Sequence, residues 1–335
     1  MTIVGFLRQS AATVSRALLM IWIVITFTFF LVRLMPGDPV QAQYETLLQG
    51  GKTPLEAERL TTTMYGFLPH GSLFGQYRNY LGELAHLNFG QSISGQGIPV
   101  STELGSAVMW TVGLVLAGVI VSAVLGILLG VVAAMKRSTK LGDGLTIVGS
   151  VLHGIPQYVM ALVLVTFFTV EFPVFTTGPV DGLLEPGFNG PYVASLASHA
   201  VLPVLAFAIS GFGGYLLTMK SAVVSVLGDD FILAAELRGL TKGLIFRYIA
   251  RNAVLPVFTI LALSFGFMFG GAVFIEHAFN YPGMGDLLIK SVAARDYPLM
   301  SGAFLLITVA VILANVVSDM LYSVIDPRVR RGQVG

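Results

Sequence analysis

The chain has 335 residues, of which 55% are hydrophobic and only 11% charged, with a formal net charge of +1 and no cysteine. About a quarter of the residues of a soluble globular domain are charged, so this composition excludes such a domain and specifies a protein that crosses a membrane several times. Without cysteine, a disulfide framework, a cysteine-ligated metal and a thiol nucleophile are excluded as well.

A helix crossing a hydrocarbon core of about 30 Å needs roughly 20 apolar residues, and six uncharged stretches meet or approach that length. The first runs from Ala17 to Val32, where Arg16 and Arg33 can snorkel to the two interfaces. It resembles a secretory leader, but no small-x-small cleavage site follows Val32, which predicts an uncleaved first span. The other five are bounded by Glu103 and Lys136, Asp143 and Glu171, Glu185 and Lys220, Arg251 and Glu276, and Asp296 and Asp319. Pro156, Pro203 and Pro256 fall in or near these stretches, and each removes a helical hydrogen bond, so kinks are expected there.

Between the first two spans lies a long segment rich in aromatic residues: Tyr44, Tyr65, Phe67, Phe74, Tyr77, Tyr80 and Phe89. It reads as a folded piece on one side of the membrane. Its aromatics either pack it against the interface, where tyrosine is favoured, or touch an external partner.

Charge orients the spans. With the N-terminus inside, 13 of the 19 Lys and Arg fall on the cytoplasmic side; against six acidic residues there, this leaves +7 inside and −6 outside. Both termini are therefore expected to be cytoplasmic.

On that same side the chain turns polar between Met219 and Pro256. Gly228 can end the preceding helix, Asp229 and Asp230 suit the positive N-terminus of a new one, and Gly239 can supply a left-handed closing residue. A short helix outside the bilayer is predicted. Leu233, Leu237 and Leu240 share one face and give it an apolar ridge to offer a partner, while Ala234, Ala235 and Gly239 permit close approach.

The other loops carry turn chemistry. Asn280, Pro282 and Gly283 specify a tight turn, and the glycines and prolines between Glu171 and Pro191 predict an irregular connection. No phosphate-binding G-x-x-x-x-G-K-[ST], no H-E-x-x-H and no G-x-S-x-G is present, so this chain does not hydrolyse ATP by itself. The five histidines never pair at metal-ligand spacing. No acidic or basic residue falls at mid-depth of a span, where ion-coupled carriers use one.

Several strings, in order, resemble one family: RLMPGDP from Arg33, GQYRNYLGEL from Gly75, LNFGQS from Leu87, GILLGVVAAMKRSTKLGD from Gly126, GIPQYVMALVLV after His153, HAVLPVLAFA from His199, VLGDDFILAAELRGL from Val226, FNYPGMGDLL from Phe279, RDYPLMSG from Arg295 and DPR from Asp326. The chain resembles the membrane subunit of bacterial ABC importers of the dipeptide, oligopeptide and nickel group, in its B-type permease branch. The resemblance implies an all-α polytopic membrane protein with six transmembrane helices and the type I ABC importer permease fold. It divides the chain into 1–35, the cytoplasmic N-terminus and first span; 36–103, an extracytoplasmic segment; and 104–335, the permease core with a coupling helix at about 228–240.

The family's coupling pattern is Glu-Ala-Ala, three residues, then Gly. Here Leu233 stands at the Glu position, Ala234 and Ala235 match, and Gly239 is the glycine; Glu236 stands where peptide permeases commonly carry a basic residue. The implied ATPase-coupling residues are Asp230, Leu233, Ala234, Ala235, Glu236, Leu237, Gly239 and Leu240, and the implied contacts to a binding protein are Tyr65, Phe67, Phe89 and Gln91. The implied partners are a second, C-type permease subunit, two ATPase subunits or domains holding ATP and Mg, an extracytoplasmic substrate-binding protein, membrane lipid and a peptide substrate, with no nucleic acid and no cofactor or metal in this chain. Import of short peptides at the bacterial inner membrane is the expectation; a nickel or metal-chelate importer and a six-span secondary transporter are the alternatives.

Overall fold

The computed structural model describes residues 3–34, 38–65, 72–95, 97–180, 182, 184–185 and 187–325. Among them every regular element is a helix, apart from one isolated antiparallel bridge between Gln91 and Pro99. Among the described residues five helices are long and apolar enough to cross a membrane, and a bent pair raises the number to six if it forms one span.

The chain divides into two compact units, one of residues 1–112 and 282–312 and the other of residues 113–281 and 313–335, the division falling within two long helices. The first unit begins with α1 (Ile3–Leu34), whose apolar span runs over Ala11–Val32. That span starts six residues before the expected Ala17. The Arg16 Nε folds back along the helix to the Ala12 carbonyl at 3.2 Å, so the charge does not interrupt the helix.

Three short helices follow: α2 (Pro39–Gln49), α3 (Pro54–Tyr65) and α4 (Leu73–Ala85). Each start is legible in the residues. Asp38 accepts from the Val40 and Gln41 amides ahead of Pro39, Thr53 and Glu56 form a reciprocal capping pair, and Ser72 accepts from the Gly75 amide. These hydrogen bonds hold the Glu56 carboxyl below its ordinary range.

Phe29 of α1 makes edge-on and tilted ring contacts with Tyr77 and Tyr80, at centroid separations of 5.3 and 5.5 Å, and joins Val32, Val40 and Tyr65 in one apolar cluster. A second cluster combines Val100, Leu104 and Ala107 at the start of α5 (Val100–Met135) with Met284 of α11 (Met284–Ala293) and Leu299 and Ala303 of α12 (Tyr297–Ile325).

The second unit contains the remainder of α5 and α6 (Lys140–His153), α7 (Gln157–Val165) with a π-helical extension over Thr166–Glu171, α8 (Gly190–Leu227), α9 (Asp230–Leu237) and α10 (Lys242–Ala278). Small residues set the helix spacing. A Cβ on Gly126 of α5 would stand 2.4 Å from the Tyr215 Cβ of α8, and one on Gly213 of α8 would stand 2.2 Å from the Gly149 carbonyl of α6. Only glycine permits these approaches, which is how apolar helices pack closely where lipid competes for their surfaces.

Pro203 and Pro256 lie inside α8 and α10, which continue past them. At Pro156 the expected kink is a full break: α6 ends, and it meets α7 and its extension at 96°.

Candidate functional site

The polar interruption between α8 and α10 forms α9, and its termini follow from the residues expected to make them. Gly228 caps α8, Asp229 takes the extended conformation of a helix N-cap, and Asp230 occupies the first turn. At the other end Gly239 adopts φ 72°, in the left-handed region. The Gly239 amide donates to the Glu236 carbonyl at 2.9 Å and the Leu240 amide to the Ala235 carbonyl at 3.2 Å. That pair of bonds is the Schellman closure, in which the last carbonyls of the helix are satisfied by the chain that leaves it.

The helix has two distinct apolar faces. Ile232 and Ala235, three residues apart, are buried, and Ile232 packs in a cluster with Tyr215, Met219 and Val223 of α8 and Ile249 and Ala253 of α10. Leu233 and Leu237 point away, 56% and 81% exposed, with Phe231 exposed as well. Ala234, Glu236 and Gly239 are also exposed, while Leu240 is partly buried. The exposed ridge thus consists of Leu233 and Leu237; Leu240 leaves it because the left-handed turn at Gly239 redirects the chain. Ile232 thus packs α9 against both α8 and α10 and makes it an integral piece of this unit.

The inner anchor Ile232 escapes a reading of the sequence. Its spacing from Ala235 carries the signal, but an apolar residue on a short helix bears no mark of which face is covered.

Candidate contact residues of the outer segment lie in the first unit. Tyr65 is 7% exposed, and its hydroxyl reaches the Pro39 carbonyl at 3.3 Å. Burial pushes the Tyr65 and Tyr80 phenols well above their ordinary range. Phe89 packs against the Val100–Leu299 cluster, and Gln91 is half-buried, its amide donating to the Met64 carbonyl at 3.2 Å. Phe67 lies outside the described residues. Tyr65 is therefore an interior residue and Phe89 is partly buried, because an aromatic ring in a small helical segment is its largest source of apolar burial. Phe74, 76% exposed at the start of α4, is an aromatic of this segment that reaches the surface.

The tight turn expected from Asn280 and its neighbours is present. Asn280 has φ 49°, and the Tyr281 amide returns to the Glu276 carbonyl at 2.7 Å. Burial and the nearby Glu276 push the Tyr281 phenol up to about 12.

Comparison with known proteins places these features in a family. The profile of the family described as binding-protein-dependent transport system inner membrane component matches residues 126–331, which include α9 and both helices that hold it. The chain is 30% identical to the oligopeptide transport system permease protein AppB of Bacillus subtilis, over 96% of this chain and 99% of that one. It is 31% identical to the di/tripeptide transport system permease protein DppB of Pseudomonas aeruginosa and 29% identical to the glutathione transport system permease protein GsiC of Escherichia coli, in each case over 92% of this chain and 94% of the relative.

Proposed function

We propose that this chain, which belongs to the family of binding-protein-dependent transport system inner membrane components, is the permease subunit of an ATP-driven importer of short peptides. The observation that carries the proposal is α9: a short helix closed by Gly239, anchored inside the unit by Ile232 and offering Leu233 and Leu237 outward. Such a helix is a lever. An ATPase that closes on ATP displaces it, and α8 and α10, packed against Ile232, move with it. The chain itself carries no phosphate-binding loop, so ATP and Mg belong to partner subunits.

The partners of this reading are two ATPase subunits or domains on the cytoplasmic side, a second permease subunit that completes the cavity, and a binding protein that delivers substrate from outside. The distribution of 13 basic residues inside against six outside supports cytoplasmic termini. Peptides are favoured over nickel by the relatives, whose names specify oligopeptide, di/tripeptide and glutathione transport. The composition of the spans agrees with that cargo, because fixed charges in a low-dielectric path would impose a preference of sign on side chains that vary.

Reconstitution of the complete complex in liposomes tests the proposal. ATP-dependent uptake of labelled di- to oligopeptides is expected. Nickel uptake without any peptide transport would overturn the peptide assignment, and peptide uptake independent of ATP would overturn the importer mechanism.

A further inference from the structure

The break between α6 and α7 leaves backbone polar groups without partners at a depth where lipid cannot satisfy them. The Gly154 amide closes onto the Ser150 and Val151 carbonyls and the Ile155 amide onto the Leu152 carbonyl. Past that point, among the described residues, the carbonyls of His153, Gly154 and Ile155 accept from no protein group. The Gln157 and Tyr158 amides, at the uncapped start of α7, donate to none. Pro156 is the cause: it has no N–H to give, and its ring prevents α6 from continuing.

The depth follows from neighbouring helices of the same unit. Thr146 of α6 accepts from Lys220 Nζ at 2.7 Å, and the charge distribution puts Lys220 toward the cytoplasmic side. His153 lies a further two turns along α6, about 10 Å by the helical rise, and packs beside Gly213 and Gly214 of α8. On the other side of the break the chain has still to run through the nine residues of α7 and the six of its extension, ending at Glu171, before it leaves the helix. Irregular backbone at such a depth is tolerated only where it is covered by protein or lines a water-filled cavity.

The side chains here are not those of a lipid-facing surface. His153 and Tyr158 are exposed, and Gln157 is half-buried, with its Oε1 so close to Gly271 of α10 that any Cβ at that position would collide with it. Glycine at 271 makes room for the amide of Gln157.

We propose that the Gly154–Pro156 break, with His153 and Gln157, lines the aqueous route through the membrane and is a contact point for the main chain of a passing peptide. The free carbonyls of residues 153–155 would accept from peptide N–H and ammonium groups, and the free amides of residues 157 and 158 would donate to peptide carbonyls. Every peptide presents both, whatever its side chains, so the contact is sequence-independent. The inference rests on the peptide-importer reading for its ligand, but not for the water-lined break.

Because the chain has no cysteine, single cysteines report on this directly. Gly154→Cys is tolerated sterically, since a Cβ there meets only ordinary contacts at 3.4 Å and beyond; Gln157→Cys is the second site. The control is Leu162→Cys, an exposed apolar position on α7. Each variant is assembled into the complete complex in liposomes and treated from both sides with a charged thiosulfonate reagent, without nucleotide and with trapped ATP.

Gly154→Cys and Gln157→Cys are expected to react about tenfold or more faster than Leu162→Cys in at least one state, because the reactive thiolate forms in water, and saturating peptide with its binding protein should slow them. Rates equal to that of Leu162→Cys in both states, with transport intact, would overturn the inference while leaving the peptide-importer reading in place. Fast labelling that peptide never slows, in a complex that imports no peptide, would overturn that reading and the peptide contact while leaving the break water-lined.

Discussion

Ser94 and Asp296, 202 residues apart, are joined twice: the Ser94 amide and hydroxyl both donate to Asp296 Oδ2, at 2.8 and 2.7 Å. The buried Ser92 hydroxyl adds a third donor at 2.7 Å, and the Leu299 amide reaches Oδ1 at 3.2 Å in the first turn of α12. One fully buried carboxylate thereby fixes the bridged loop ahead of α5 to the start of α12 within the same unit.

Asp296→Ala removes an acceptor shared by four donors, two of them on buried residues. Leaving a buried donor unsatisfied costs about 1–3 kcal/mol, so the variant should unfold at lower temperature in detergent and expose the 91–99 loop to protease. Ser94→Ala should cost less, because Ser94 is exposed and water replaces the bond. Equal melting temperatures for wild type and Asp296→Ala would show that this carboxylate does not hold the loop.

The Ser94 contact also decides where topology is probed. A cysteine at Ser94 would sever a bond to Asp296, whereas Leu55, 76% exposed in α3, makes a position that labelling does not disturb. On intact cells an impermeant thiol reagent should modify Leu55→Cys and spare Ser138→Cys, in the exposed turn between α5 and α6. The reverse pattern would place the termini outside.

The two faces of α9 predict opposite phenotypes. Leu237→Asp puts a charge on an exposed ridge, so the subunit should insert and melt normally while peptide-stimulated ATP hydrolysis and uptake collapse. Ile232→Asp puts a carboxylate among Met219, Val223 and Ile249 without a partner, and a buried unpaired charge costs several kcal/mol; the expected result is loss of folded subunit. Normal coupling in Leu237→Asp would remove this ridge from any docking role.

How far the sequence reaches is visible at these same residues. The ends of α9 are legible because capping is local: Gly228, Asp229 and Gly239 act within a few residues of themselves. The long helices are legible because apolar length is a property of one stretch. The inward face of Tyr65, the Asp296 clamp and the covered side of Ile232 are not, since each depends on a residue far along the chain. Proline gives a mixed signal. Pro203 and Pro256 sit in helices that carry on, while Pro156, two residues after Gly154, falls at the break between α6 and α7.

Gly239 offers the sharpest test of the lever. Its φ of 72° lies where an L residue with a Cβ is strained, at a cost of about 1–2 kcal/mol, and no atom stands within 4 Å of the Cβ it would carry. Gly239→Val therefore perturbs only the backbone closure of α9, with no clash inside the subunit to confuse the outcome. Insertion should persist and the melting temperature fall by only a few degrees, while ATPase stimulation by loaded binding protein and peptide uptake fall together and far more steeply. Gly239→Asn should restore part of both, because asparagine enters the left-handed region more readily than valine. If the valine variant imports peptide at the wild-type rate, the geometry of this turn is irrelevant to coupling, and α9 is not the lever that joins ATP hydrolysis to the spans.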